Sequence, residues 1–319
     1  MAQNQRPLLR ARLAAVAGLI AVAAAAAPAP AAAQAEARTG PVAITAARLL
    51  DVESGRMLAG RFVVVRDGRI EQVADRLPQG LRVIDLGDAT LMPGWIDTHV
   101  HLTSELGQGS FMRPVQETDA DAALRGVRHA RITAEAGFTT VRNVGAPGFA
   151  DVALGDAVER GDIVGPHIIG AGHSLGITGG HCDDTGWRPD VLERDWRSGI
   201  ADGPWDAVRA VRYQIKHGAE VIKICATAGV LSFEETVGAQ QFTTEEMEAI
   251  VQEAARHDIK VAAHAHGTEG IKAAVRAGVA SIEHGSILDD EAIRLMKEHG
   301  TYLVPTQYLA DVIPLDALP

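Results

Sequence analysis

Two histidines one residue apart close the apolar run LMPGWIDTHVHL, residues 91–102, and that spacing is the first chemical signal in the chain. Alternate side chains of a strand share a face, so His99 and His101 are expected to point the same way. Paired imidazoles make a poor core and a good metal site, because neutral ring nitrogen is a favoured zinc donor. Lys223, in VIKICATAG, lies inside a second apolar strand, where an ammonium is costly to bury unless it is paired or chemically changed. Carbon dioxide can convert a buried lysine to a carbamate that bridges two cations, and a nearby HxH strand gives such cations a place. His264 and His266 end VAAHAHG, and His284 ends SIEHG. His264 and His266 share a strand face, so spacing alone leaves open which of them ligates. Four strand ends that deliver His, Lys, His and His to one mouth describe a divalent metal centre with positions left for water.

The elements that must position these residues alternate in type. Strands are predicted at TLMPGWIDTHV, FTTVRNV, HIIGAG, VIKICAT, IKVAAHAH, ASIEHG and TYLVPT. Between them lie helical stretches such as DADAALRGVRHARITAEAG, WDAVRAVRYQIKHG, TTEEMEAIVQEAARHD and GTEGIKAAVRAG, several of which stop at a glycine suited to a left-handed C-cap: Gly137, Gly218, Gly278. Such alternation means parallel strands with crossover helices. Reactive side chains at strand C-terminal ends, with no Gly-rich phosphate loop opening a helix, favour a TIM-type (β/α)8 barrel over a doubly wound sheet. The barrel spans residues 91–319 and shows seven strand units where eight are needed, so it is expected to be incomplete. Residues 36–90 read as a small N-terminal β-sandwich-like unit of short strands, with RDGR as a hairpin turn between Val65 and Ile70.

Residues 1–35 are a different material. Arg6, Arg10 and Arg12 precede an alanine-rich apolar stretch, and small residues follow it, the pattern of a secretory signal cleaved near Ala33 or Ala35. The apolar run is shorter than the roughly 20 residues a membrane anchor needs. An exported protein, periplasmic or secreted and off the membrane once the signal is removed, is therefore expected. Losing three arginines and no acid takes the formal charge from −11 to −14, and an acidic surface without a basic stripe excludes nucleic acid as a partner. The two cysteines, Cys182 and Cys225, either pair in an oxidising compartment or remain separate thiols.

The segments PGWIDTHVHL, GFTTVRNVGA, VIKICATAGV and VAAHAHGTEGIKAAVRAGVASIEHGS occur in an order that resembles the amidohydrolase superfamily. The resemblance runs from about residue 41 to the end and is strongest to the binuclear Xaa-Pro, Xaa-Arg and Xaa-Lys dipeptidases and carboxypeptidases; ochratoxin-hydrolysing amidases are also similar. It implies two divalent metal ions, zinc by expectation. His99 and His101 would hold the more buried ion, carboxylated Lys223 would bridge both, and His264 and His284 would hold the more exposed one. His266 would then sit above His264, toward substrate. The implied reaction is hydrolysis of an amide bond in a dipeptide or N-acyl amino acid by a metal-bridging hydroxide, with Lys223, His266 and His181 as the catalytic set. A one-metal deaminase or cyclic-amide hydrolase lacks the strand-four lysine, so Lys223 argues against that alternative. A non-catalytic metal-binding homologue is the alternative of another class. The family's strand-eight aspartate has no counterpart, since Asp311 and Asp316 follow strand seven without strand context. Relatives of this kind are often homo-oligomers.

Further candidates come from the loops. His181, in GHSLGITGGHCDDTG, matches the family's GGH position and is expected to touch substrate, and His173 shares its loop. Arg142, at the end of strand two, either binds a substrate carboxylate or forms a structural ion pair at the barrel mouth. Where the family has aspartate after that arginine, this chain has Asn143, so a salt bridge there is lost. His129, His167, His217 and His257 are expected to be surface or packing residues.

Overall fold

The computed structural model describes residues 40–107, 109–230 and 236–308, so the leader at 1–35 and both tail aspartates, Asp311 and Asp316, lie outside the described residues. Two compact units divide between Pro93 and Gly94. Among the described residues no helix is long and apolar enough to cross a membrane.

Among the described residues the first unit holds two small sheets. One runs β5 (Arg69–Ala74), β4 (Phe62–Arg66), β1 (Val42–Thr45), β6 (Arg82–Asp85), and the other β3 (Arg56–Leu58), β2 (Arg48–Asp51), β7 (Thr90–Leu91). Asp67 and Gly68 both have positive φ, 49° and 73°, as the tight turn between β4 and β5 requires. The single strand read at TLMPGWIDTHV is two: β7 pairs with β2, while Trp95–Val100, β8, pairs with β9. Pro93 has no amide hydrogen to offer a ladder, which is why the run breaks there.

Among the described residues the second unit carries β8 and six more strands: β9 (Phe138–Asn143), β10 (His167–Gly170), β11 (Val221–Cys225), β12 (Lys260–Ala265), β13 (Ser281–His284) and β14 (Tyr302–Val304). All ladders among them are parallel, in the orders β10-β9-β8 and β11-β12-β13-β14. Leu175 joins the two sheets: it pairs in parallel with Ile224, its amide donates to the Lys223 carbonyl at 2.8 Å, and its carbonyl accepts from Cys225 at 2.8 Å. Sequential parallel strands with helical crossovers are the TIM-barrel-type arrangement. Among the described residues no ladder joins β14 to β8.

The helices are α1 (Arg113–Gln116), α2 (Asp119–Glu135), α3 (Ala150–Glu159), α4 (Pro204–Lys216), α5 (Thr244–Ala255), α6 (Thr268–Ala277) and α7 (Asp290–His299). Thr118 with Asp121, and Thr243 with Glu246, form capping boxes that satisfy the first amides of α2 and α5. The three glycines expected to end helices do so in the left-handed region, Gly137 at 99°, Gly218 at 96° and Gly278 at 95°. Ile222, Ile224, Ala263, Ala265 and Ile282 pack on Val211, Met247, Ile250 and Ile271 of the helices. The alternation of strand residues therefore turns Lys223, Cys225 and His264 to the opposite face, where they line a cavity.

Candidate metal centre

The strand ends surround a cavity of about 2610 Å³, lined on its floor by His99, His101, Lys223, His264, His266 and His284. Ring centroids lie 5.5 Å apart for His99 and His101, 4.8 Å for His99 and His284, and 4.8 Å for His264 and His284. Donor nitrogens of His264, His266 and His284 all fall within 4.8 Å of one another, so the geometry includes His266 as well as His264 in the cluster. At His284 the backbone has φ 70°, and this left-handed turn lets both Glu283 and His284 approach His99 although they are neighbours in one strand.

Four of these rings are held by one nitrogen. His99 Nδ1 faces Glu283 Oε2 at 2.7 Å, His101 Nδ1 the Gly145 carbonyl at 3.1 Å, His266 Nδ1 the Ser286 hydroxyl at 2.8 Å, and His284 Nδ1 the Thr306 hydroxyl at 2.6 Å. Each ring thus keeps Nε2 for the cavity, the arrangement by which outer partners fix the tautomer of metal-binding histidines. Among the described residues His264 Nε2 is buried with no hydrogen-bond partner. A buried nitrogen lone pair with nothing to accept is costly in a native structure, and a bound cation would satisfy it. The donor set fits a divalent metal.

The electrostatics keep the rings neutral. Burial holds His99, His264, His266 and His284 below the usual imidazole range, and takes His101 down to about 3. The positive charge of Lys223 adds to this at His99, His101, His264 and His284. Lys223 is itself 3% exposed, and burial lowers it to about 8 against the opposing pull of Glu283. Burial pushes the Glu283 carboxyl up, but the hydrogen bond from His99 and the charges of Arg142 and Lys223 outweigh it and hold the acid low.

Arg142 has a different place from the substrate-binding role considered for it. Its Nη2 meets Glu283 Oε1 at 2.7 Å, Nη1 donates to Ser281 at 3.1 Å and Nε to the Thr98 carbonyl at 2.7 Å. The guanidinium is spent on the carboxylate that orients His99, and Arg142 is not among the cavity-lining residues. Glu283 is the residue that sequence reasoning missed, and its signal was a lone acid in the apolar strand ASIEHG. Asn143, where the family has aspartate, is a buried neutral hub: it accepts from Leu102 N at 2.7 Å and donates to the Gly145 carbonyl and Asp151 Oδ2, both at 3.1 Å.

His181 stacks on His264 with centroids 4.1 Å apart, at the cavity wall. His173 lines the cavity too, accepting at Nε2 from the Gly148 amide at 3.1 Å. His217, expected to be a packing residue, packs on Phe149 with centroids 4.6 Å apart and also reaches the cavity, because the C-cap of α4 opens toward the mouth. His129 and His167 keep structural positions: His129 Nδ1 meets the Leu102 carbonyl at 2.8 Å, and His167 starts β10 beside Glu159. Cys182 and Cys225, left open by the sequence, are joined as a disulfide.

The chain matches the amidohydrolase family over residues 90–318. It belongs to that family. Aspergillus niger ochratoxinase is 34% identical over 296 residues, covering 85% of this chain and 60% of the relative. The chain thus spans about 60% of the length of that curated relative. A Xaa-Pro dipeptidase crystallised with methionine in its active site is similar at 36% identity and TM-score 0.81, over 88% of this amidohydrolase and 71% of the other chain. A prolidase in complex with N-methylphosphonate-L-proline shares 36% identity at TM-score 0.78, over 88% and 70% of the two chains.

Proposed function

We propose that this chain belongs to an exported metal-dependent hydrolase that cleaves amide bonds in small substrates, dipeptides or N-acyl amino acids. The observation that carries the reading is the ring of imidazoles around one buried lysine, with His264 Nε2 buried and unpartnered among the described residues. The names of the similar proteins, a dipeptidase, a prolidase and an ochratoxinase, support the same bond class. His99 and His101 would hold one divalent ion, expected to be zinc, and His264 and His284 the other. Lys223, as its carbamate, would join the two. Bound there, such cations would supply an acidified water and a polarised substrate carbonyl.

The chain's own residues do the rest. Glu283 takes the Nδ1 proton of His99 as a hydrogen bond and so points Nε2 at the floor. Lys223, lowered to about 8, keeps a larger neutral fraction near neutral pH than a free lysine, and only the neutral amine can form a bond to carbon dioxide. His266 and His181 line the same cavity as His264, and in this reading they would accept or return a proton during amide cleavage.

Elemental analysis of the purified chain, expressed with zinc and bicarbonate, tests the centre directly. About two metals per chain, with turnover in a screen of dipeptides and N-acyl amino acids, is the expected result. Two metals without turnover of any amide would favour a metal-binding homologue instead, and no metal would sink both readings.

A further inference from the structure

The loop between β10 and α4 brings His181 to the centre, and its attachment is unusual. At its base Leu175 is laddered to Ile224, and Gly176 exchanges hydrogen bonds with Gly199 and Ala201 at 3.0 and 2.9 Å. Beyond that base, the His181 amide donates to Gln241 Oε1 at 3.0 Å, and Cys182 is bonded to Cys225. Cys225 stands directly opposite His264 in the β11–β12 ladder. The disulfide thus links the neighbour of His181 to the ladder partner of His264, and the two imidazoles it brings together stack at 4.1 Å. Both half-cystines also line the cavity, so a small reductant that enters with substrate can reach the bond.

We infer that the Cys182–Cys225 disulfide is a reducible clamp that positions His181 against His264, making both cysteines positioning residues for the site. Reduction by a dithiol balances simply. One reductant thiolate attacks the Sγ of Cys182, the less buried of the two residues, and the S–S bond breaks with its electron pair on Cys225, which takes up a proton. The reductant's second thiolate then attacks its own first sulfur in the mixed disulfide, and that S–S bond breaks with its electron pair on Cys182, which takes up a proton and leaves the reductant as a cyclic disulfide. The consequence is loss of the loop's tether, with β11 and β12 still paired by their own ladder.

Hydrogen exchange and histidine carbethoxylation, both read by mass spectrometry on the full chain with and without dithiothreitol, test the clamp. Reduction should raise exchange in peptides covering 176–199 and increase His181 labelling roughly tenfold relative to the surface His167, with peptides over 260–265 unchanged. Cys182→Ser should reproduce the reduced state. Unchanged His181 labelling at complete reduction would overturn the clamp, and so would opening of 260–265 in step with the loop, which would make the bond a general staple. For turnover the inference rests on the hydrolase reading: reduction should lower kcat roughly ten- to a hundredfold and leave KM within about twofold. If no amide is cleaved in either state, the hydrolase reading fails, while exchange and labelling still decide the clamp.

Discussion

Lys223 costs stability so long as it stays an uncombined amine, because burial takes it from the model-peptide range to about 8 without a direct ion-pair partner among the described contacts. Lys223→Met should therefore raise the melting temperature of the metal-free chain by roughly 2–5 °C while dropping bound metal below one ion per chain. Calorimetry with and without chelator, paired with elemental analysis, separates the two effects. A melting temperature that falls in the metal-free variant would mean the lysine is structural. Glu283 works through His99 rather than on a metal. Glu283→Gln keeps the shape but weakens the hydrogen bond that points Nε2 inward and leaves Arg142 without its charge partner. Metal affinity should fall by roughly 10–100-fold with little change in the metal-free fold, as competition against a chromogenic chelator would read.

At the scale of elements, most of what positions the site could be read from residue order. An HxH pair, a lysine in an apolar strand and histidines at two further strand ends are legible because strand alternation commits such residues to one face. The glycine stops at Gly137, Gly218 and Gly278 were equally legible, since a left-handed C-cap has few other solutions. The Arg142–Glu283–His99 chain was not, because its partners lie 141 and 184 residues apart and only the tertiary fold brings them together. Nor was the split at Pro93, where apolar character runs on through a change of sheet. Loop packing is hidden for the same reason. Gly229 lies against the His181 ring so closely that a Cβ there would collide with it. Gly229→Ala should push that ring off His264, cost about 1–3 kcal/mol, and raise exchange across 176–199 without reduction of the disulfide. An unaffected loop would mean the ring yields freely.

For the whole molecule, the histidine floor sets the response to acid. An unfolded histidine takes its proton near pH 6.5, whereas His101 in the fold waits until about 3, and His99, His173, His264, His266 and His284 are shifted in the same direction, chiefly by burial. Between those values the unfolded chain holds more protons, so stability rises with pH and is lost as pH falls from about 6.5 toward 3. Glu283, held low in the fold, adds a loss of the same sign once pH falls through its unfolded value near 4.5. Asp151 works the other way, since burial raises its carboxyl and its contribution grows in acid, but one acid opposes six imidazoles. Lys223 extends the trend upward, because from about 8 to 10.5 the unfolded chain again carries the extra proton. The metal-free chain should thus melt at least about 5 °C lower at pH 5 than at pH 7.5, and at least as high at pH 9 as at pH 7.5. His101→Asn should flatten the acid limb but not the alkaline one. A melting temperature level from pH 7.5 to 5 would mean that these rings are solvated and free to charge, and a floor of that kind would not favour metal over protons.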